Sequence, residues 1–223
     1  MASIYEGRRL QLLLTRSLCR TDPMATLAAC LAGGVDLVQV REKPFRDDAL
    51  AWIDRVAERC AEHGVPVVVN DRRDLAEARG LGLHLGQEDL AAFPRGSLRR
   101  RAIPLGLSTH DEHELALALD EAPDAVGVGP CHATTTKGYT RGLDPDELAR
   151  LLSLAPVPAF GIGGITPARL PPLLGLGLRR IAVSSCLLAA EDPRAVAADL
   201  RAMLDDRPLD DPTVRQVKPP YLR

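Results

Sequence analysis

Two cations and an amide alternate along one short apolar segment of the chain. Gln39, Arg41 and Lys43 occupy every second position of this segment, so on a β-strand their side chains would share one face. Two cations on one inward face are costly unless they are paired or bind an anion. The spacing therefore predicts a face that binds an anion such as a phosphate.

Carboxylates follow the next two apolar segments. Asn70-Asp71 ends one of them, and Asp89 comes shortly after the other. Taken alone, Asn70-Asp71 could be a turn and Asp89 could be a helix N-cap. Beside a cationic strand, Asp71 and Asp89 together predict an oxygen-ligand site for Mg²⁺ with a phosphate.

Further polar or glycine residues stand where other apolar segments end. His84 could be a catalytic residue or only a hydrogen-bonded histidine, and Ser108 ends the next segment. The glycine run that contains Gly164 precedes a Thr-Pro helix start, which favours phosphate binding by backbone N–H groups. Ser184 and Ser185 follow the last segment. The other histidines are expected to be solvated or, in one case, to shape a turn: His63, His110 and His113, and His132.

Short apolar runs alternate with amphipathic ones along most of the chain. The runs predict strands covered on both faces at Leu10–Leu14, Asp36–Val40, Pro66–Val69, Leu81–Leu85, Ile103–Leu107, Ala125–Val128, Val157–Gly161 and Arg180–Val183. Helical patterns lie between them at Asp47–His63, Asp111–Glu121, Asp144–Leu154 and Pro167–Leu174. The alternation predicts an α/β fold, a (β/α)8 TIM barrel, with an open doubly wound sheet as the alternative.

The predicted barrel explains where the polar residues stand. In such a barrel the carboxyl ends of all strands meet at one rim, where active sites form. Helix starts agree with the predicted alternation of strands and helices, because Asp22, Thr166 and Asp192 each precede a proline, as expected for an N-cap residue.

Composition and charge limit the number of domains, the kinds of partner and the compartment. The chain has 223 residues, 46% of them apolar, and 28 basic against 30 acidic residues give a net charge of −2. We expect one catalytic domain over residues 1–204 and an irregular or disordered tail over 205–223. Neither nucleic acid nor a membrane is an expected partner, because there is no basic patch, spanning run or signal peptide. Five scattered cysteines without C-x-x-C spacing favour the cytoplasm, and a homo-oligomer is compatible with the sequence.

Six segments in order resemble one known family. They read Val-Gln-Val-Arg-Glu-Lys, Val-Asn-Asp-Arg-Arg-Asp-Leu-Ala, Leu-His-Leu-Gly-Gln-Glu-Asp-Leu, Gly-Leu-Ser-Thr-His, Val-Gly-Pro-x-x-x-Thr-x-Thr-Lys and Gly-Ile-Gly-Gly-Ile. The chain is similar over Leu10 to Leu204 to the thiamine phosphate synthase family. The resemblance implies a Mg²⁺-dependent transferase that joins a hydroxymethylpyrimidine pyrophosphate to a thiazole phosphate. Thiamine phosphate and pyrophosphate would be its products.

The resemblance also implies roles for individual residues. Those that would bind the pyrimidine substrate and its pyrophosphate are Gln39, Arg41, Lys43, Asn70, His84, Ser108 and Lys137. Arg41, Lys43, Ser108 and Lys137 would be the catalytic residues among them, and Asp71 and Asp89 would hold the magnesium ion. Those that would hold the thiazole phosphate are Thr134, Thr136, Gly164, Ser184 and Ser185.

Two other functions remain open on the sequence alone, and a third is disfavoured by it. A thiazole tautomerase-like protein would share the fold but lack much of the pyrophosphate and metal set. A non-catalytic sensor of thiazole phosphate would need the phosphate site and no metal pair. An unrelated phosphosugar barrel disagrees with the Val-Asn-Asp and Thr-x-Thr-Lys segments.

Overall fold

A computed structural model describes residues 3–133 and 140–209. Within these residues, parallel strands close into a barrel in chain order, and the first strand pairs with both the second and the eighth. The strands are β1 Leu10–Leu14, β2 Leu37–Val40, β3 Val67–Asn70, β4 Gly82–Leu85, β5 Leu105–Thr109, β6 Ala125–Val128, β7 Ala159–Ile162 and β8 Ile181–Val183. The predicted (β/α)8 barrel is therefore confirmed, and the open doubly wound sheet is excluded.

Helices follow the strands. They are α1 Pro23–Ala32, α2 Ala49–Ala61, α3 Arg73–Arg79, α4 Gln87–Leu90, α5 Glu112–Leu119, α6 Pro145–Leu154, α7 Leu170–Gly175, α8 Ser185–Leu188 and α9 Pro193–Asp205. Short 3-10 turns lie at Arg16–Leu18, Ser97–Arg100 and Pro167–Arg169.

The predicted N-caps differ in outcome. Asp22 accepts a hydrogen bond of 2.8 Å from the backbone N–H of Ala25, and Asp192 one of 3.0 Å from that of Ala195. Thr166 occupies the cap position, but its side chain makes no capping bond. A 3-10 turn follows Thr166 in place of an α-helix, so the amides that a cap normally serves are arranged differently.

Strand β5 begins later than the sequence indicates. The apolar run predicts Ile103–Leu107, whereas the strand covers Leu105–Thr109. Pro104 has no N–H to donate to a ladder, and Ser108 and Thr109 pair with Gly127 and Val128 of β6. Ser108 is consequently part of the strand.

The barrel interior contains packed aromatic rings near the amino ends of the strands together with buried polar side chains, including Gln11 of β1. The rings of Tyr5 and Phe160 meet edge to face at 6.2 Å and 66°. Strand alternation places the buried Gln39, Asn70 and Ser108 on the same inner surface. The inner wall therefore combines packed rings with hydrogen-bonding groups.

The described residues show where the last helix ends and whether any helix could cross a membrane. Helix α9 ends at Asp205, and residues 210–223 lie outside the described part, so the disordered tail stays a prediction. No helix among the described residues has the length and apolar character needed to cross a membrane.

Candidate active site

A cavity of about 430 Å³ opens at the carboxyl ends of the strands. Its wall comes mainly from the segments after β6, β7 and β8, with Arg41 and His110 on the other side. Predicted site residues in this wall are Arg41, Gly164, Ser184 and Ser185. Gln39 and His84 lie deeper, around a small internal space near Tyr5.

The cationic face predicted from Gln39, Arg41 and Lys43 lies at the edge of this mouth. Gln39 is buried in the barrel, Arg41 is half-buried and Lys43 is exposed. Burial lowers the pKa of the Arg41 guanidinium, and the charge of Asp71 opposes that shift. Arg41 remains charged at neutral pH because its ordinary pKa is far above 7.

The segment after β1 holds the Arg41–Lys43 backbone in place. The Thr15 hydroxyl donates to the Arg41 carbonyl at 2.8 Å, and the Arg16 N–H donates to the Glu42 carboxylate at 2.9 Å. The Arg16 guanidinium pairs with the buried Glu42 at 3.4 Å and stacks on Trp52 at 4.8 Å. Trp52 is a buried packing residue, and it also supports this pair.

The two predicted metal ligands lie close together. The ammonium of Lys43 is 2.8 Å from Oδ2 of Asp71 and 3.8 Å from Oδ2 of Asp89. Desolvation, a hydrogen bond with Asp71 and the negative charge of Asp71 together raise the pKa of Asp89. The carboxylates thus face each other across a small space, which favours a cation between them.

The donor set fits Mg²⁺ if water or substrate completes it. Asp71 Oδ1 is buried and has no hydrogen-bond partner. No cluster of three or more His, Cys, Asp or Glu side chains suited to a metal occurs in residues 3–133 and 140–209. Mg²⁺ typically takes one or two carboxylates and keeps its other positions for water and phosphate oxygens. Asp71 and Asp89 match that smaller set.

Asn70, His84 and Ser108 form the inner wall beside this pair. Asn70 pairs with His84 across β3 and β4, and its Nδ2 is buried without a hydrogen-bond partner. His84 Nε2 lies 2.9 Å from Ser108 Oγ. The side chain of Gln87 donates to the Ser108 carbonyl. Asn70 therefore offers a donor that a substrate oxygen would satisfy.

The glycine run after β7 packs tightly against the segment after β6. Gly163 and Gly164 have φ of 102° and 61°, values that side chains disfavour. A Cβ on Gly164 would lie 2.5 Å from the Ala133 carbonyl oxygen. The backbone N–H of His132 donates to the Gly163 carbonyl at 3.1 Å. Glycine is required here by the fold of the loop, whatever its role in binding.

The segment after β8 contributes mainly backbone to the cavity. Ser184 Oγ donates to the Leu13 carbonyl at 3.1 Å, so this hydroxyl is already engaged. Ser185 is exposed and begins α8. A phosphate bound there would meet N–H groups at this turn, which is the contact expected from the sequence.

Three predicted residues cannot be placed. Thr134, Thr136 and Lys137 lie outside the described residues, between Ala133 and Thr140. Ala133 lines the cavity.

Two basic residues of the described cavity wall, His110 and Arg169, are absent from the predicted set. His110 was expected to be solvated, but it is half-buried in the wall, and its Nδ1 is 2.6 Å from Glu114 Oε2. His110 follows the last residue of β5, Thr109, so strand alternation did not indicate its place. Arg169 also lines the wall, and nothing in its sequence surroundings distinguished it from a surface arginine. His63 and His113 are exposed, as expected.

Known proteins share this sequence pattern over most of the chain. A family model described as thiamine monophosphate synthase matches residues 10–187. The thiamine-phosphate synthase of Thermobifida fusca is 42% identical over 205 residues, covering 89% of this chain and 93% of the relative. That of Mycolicibacterium smegmatis is 40% identical over 189 residues, covering 79% and 83%.

Solved structures share the fold. Thiamine phosphate pyrophosphorylase from Pyrococcus furiosus superposes with a TM-score of 0.79 at 24% identity, covering 92% of this chain and 98% of that one. A 3-hexulose-6-phosphate synthase from Salmonella typhimurium gives 0.64 at 18% identity, covering 89% and 99%. At these identities the likeness concerns the barrel alone.

Proposed function

Since the chain belongs to the thiamine monophosphate synthase family, we propose that it is a thiamine-phosphate synthase. Its substrates would be 4-amino-2-methyl-5-hydroxymethylpyrimidine pyrophosphate and 4-methyl-5-hydroxyethylthiazole phosphate. The observation that carries the proposal is the contact of Lys43 with Asp71 and Asp89, close to Arg41, which itself lines a cavity large enough for a small organic phosphate.

The cationic groups would stabilise the departing pyrophosphate. When the bond between the pyrimidine methylene carbon and the pyrophosphate oxygen breaks, its electron pair goes to pyrophosphate. Preorganised positive charge lowers the barrier of such a step without a nucleophile. Arg41 and Lys43 supply that charge, and Lys43 is exposed enough to turn from the carboxylates towards a bound anion. Asn70 Nδ2 and the Ser108 hydroxyl add hydrogen bonds from the inner wall.

We assign Mg²⁺ binding to Asp71 and Asp89. A bound magnesium ion would neutralise pyrophosphate oxygens and orient the leaving group. The residues themselves keep two oxygens facing one space, and burial of Asp71 Oδ1 keeps that oxygen from other partners. The oxygen donor set and the family resemblance support this assignment.

The cavity after β6, β7 and β8 would hold the thiazole phosphate. Gly164 and the turn at Ser184 and Ser185 line it, and Thr134 and Thr136 are expected to join them. The thiazole nitrogen would donate its electron pair to the pyrimidine methyl cation and form the new C–N bond. Apolar wall groups such as Leu13 and Ile162 would keep water from capturing that cation first.

The first test is product formation with purified protein. Both substrates are incubated with Mg²⁺ or with EDTA, and thiamine phosphate and pyrophosphate are quantified by chromatography. We expect both products in equal amounts with Mg²⁺ and neither with EDTA. Equal product in both conditions would remove the metal assignment but keep the synthase.

The same experiment separates the other functions. A tautomerase would convert a thiazole phosphate isomer without the pyrimidine substrate and release no pyrophosphate. A sensor would bind thiazole phosphate with no turnover. Either result would overturn the proposed synthase activity.

A further inference from the structure

Arg169 contacts the glycine turn that follows β7. Arg169 ends the 3-10 turn Pro167–Arg169, and its Nη1 reaches back to the Gly164 carbonyl at 3.4 Å. It lines the cavity together with Gly164, Ser184 and Ser185. The guanidinium is therefore next to the groups proposed to hold the thiazole phosphate.

The cavity wall has positive charge without matching carboxylates. Arg41 and Arg169 both line it, and no Asp or Glu does so among the described residues. Neither arginine forms an ion pair with a described carboxylate, whereas arginines on the outer surface such as Arg59 and Arg150 do. Two guanidiniums in one concave wall raise the local concentration of anions. The wall therefore suits a ligand that carries negative charge.

The backbone of Arg169 is held from both sides. Its N–H donates to the Thr166 carbonyl at 3.0 Å, and its own carbonyl accepts a hydrogen bond of 3.2 Å from His132 Nε2. These two hydrogen bonds fix the backbone of Arg169 between the loops after β6 and β7. Only the exposed side chain becomes ordered when a ligand binds, which limits the loss of conformational entropy on binding.

The serine and glycine groups that line this end of the cavity are neutral. The Ser184 hydroxyl is used by the Leu13 carbonyl, and Gly164 and Ser185 offer backbone N–H groups. Neutral donors bind a phosphate monoester but cannot pair with its second negative charge. A guanidinium can do so, with two parallel N–H groups that match phosphate oxygens.

We propose that Arg169 binds the phosphate monoester of the thiazole substrate and selects it over the unphosphorylated alcohol. The proposal builds on the proposed function and adds a specificity residue to it. Arg41 then serves the pyrophosphate end of the site, and Arg169 serves the monoester end. Each substrate has its own guanidinium, which keeps two anionic molecules from competing for one cation.

Arg169→Gln and Arg169→Lys test this assignment, with Arg59→Gln as the matched control on the outer surface of α2. In Arg169→Gln we expect KM for thiazole phosphate to rise about 10- to 100-fold, as for loss of one charge-assisted contact. KM for the pyrimidine substrate should change less than about twofold. Arg169→Lys should recover part of the loss, and Arg59→Gln should match the parent protein. Because Arg169 is exposed, the thermal unfolding midpoints of all variants should agree.

Binding without turnover distinguishes this proposal from the synthase assignment. Calorimetry measures the affinity of each protein for thiazole phosphate and for 4-methyl-5-hydroxyethylthiazole, with no pyrimidine substrate present. We expect Arg169→Gln to lose affinity for the phosphate and to keep that for the alcohol. Equal losses for both ligands, no loss for either, or no thiazole phosphate binding by the parent protein would overturn the proposal. Arg169-dependent binding in a protein that makes no thiamine phosphate would instead reject the synthase and retain this site.

Discussion

His84 Nε2 lies 2.9 Å from Ser108 Oγ, so that one hydrogen bond joins the inner faces of β4 and β5. Gly106 makes room for the imidazole, since a Cβ there would lie 2.8 Å from His84 Nδ1. The Ser108 hydroxyl therefore has its orientation set by a neighbouring ring. We therefore expect His84 to act on the proposed pyrophosphate site through Ser108.

Ser108→Ala and His84→Gln should have overlapping effects on catalysis. Each should lower kcat/KM by about 10- to 100-fold, because each removes one hydrogen bond that positions a donor at the leaving group. The double variant should be little worse than either single one, since both disrupt one unit. Steady-state kinetics on the four proteins measures this. Losses that multiply in the double variant would mean that His84 contacts substrate independently.

Asp71→Asn should remove most turnover at saturating substrate. Metal-assisted stabilisation of a transferring phosphate group amounts to several kcal/mol, so we expect a fall of at least about 100-fold. Asp74→Asn is the matched control, because Asp74 is an exposed carboxylate paired with Arg72 at the start of α3. A Mg²⁺ titration of activity provides the second readout. Parent-like Mg²⁺ dependence in Asp71→Asn would exclude this residue as a ligand.

Lys137→Ala should slow product formation much more than it weakens binding of thiazole phosphate. The resemblance places Lys137 at the leaving pyrophosphate, where loss of a fixed charge typically costs about 10²–10³ in kcat. Lys218→Ala, in the predicted tail, is the control and should be unchanged. Single-turnover rates and calorimetric affinities separate the two effects. Equal losses in rate and affinity would indicate uniform binding of ground state and transition state.

Glu42→Gln should destabilise the protein by about 2–4 kcal/mol, because it leaves the Arg16 guanidinium with one carboxylate fewer in a buried setting. The side chains of Arg16 and Glu42 are only 11% and 5% exposed. Asp48 remains as a second partner of Arg16 at 2.6 Å, which limits the loss. Urea unfolding measures the change in the free energy of unfolding. The control Glu62→Gln breaks an exposed pair with Arg59 and should cost less than about 0.5 kcal/mol; equal losses in both variants would contradict the buried role.

The cysteines should resist alkylation in the native protein. Burial raises the pKa of Cys131 to about 12 and that of Cys19 to about 11, so at pH 8 almost no thiolate forms in either. In the unfolded chain the thiol pKa returns to about 8.5. Iodoacetamide at pH 8 should therefore label native protein slowly and guanidinium-unfolded protein fast, as mass spectrometry would show. Rapid native labelling of Cys131 would contradict its burial.

The raised pKa values of Cys19 and Cys131 also predict that the free energy of unfolding decreases at alkaline pH. A thiol whose folded pKa is raised stays protonated while the unfolded chain ionises. Stability from this source is complete below about pH 8.5 and falls as pH rises towards the folded values near 11 and 12.

Much of the fold could be predicted because its signals are local. The apolar run Leu10–Leu14 is the observed β1, and Ala125–Val128 is the observed β6. Each such strand is covered on both faces, so it reads as a continuous apolar run, and its short length separates it from a buried helix. Composition is a weaker guide to strand ends: β7 begins at Ala159 where the prediction began at Val157, and β5 is shifted by two residues at both ends. Ser108 and Thr109 are polar, and only their pairing with β6 assigns them to the strand.

The side-chain types of the site were also readable, but their contacts were not. Gln39 lies on the inner face of β2 because alternation along a strand is a property of the backbone. Arg41 and Lys43 follow the strand, which ends at Val40, so alternation alone does not place them. That Lys43 would contact Asp71 depends on how β2 and β3 are aligned and on the path of the chain after each strand.

The sequence by itself determined the order and type of the elements and the residues that end each strand, because these follow from apolar periodicity and turn chemistry. Only the tertiary structure decided which of those residues meet. His110 and Arg169 line one cavity although 59 residues separate them in the chain, since closure of β1 on β8 bends every strand end towards one rim. Contacts of that kind depend on packing between distant segments, and no local pattern encodes them.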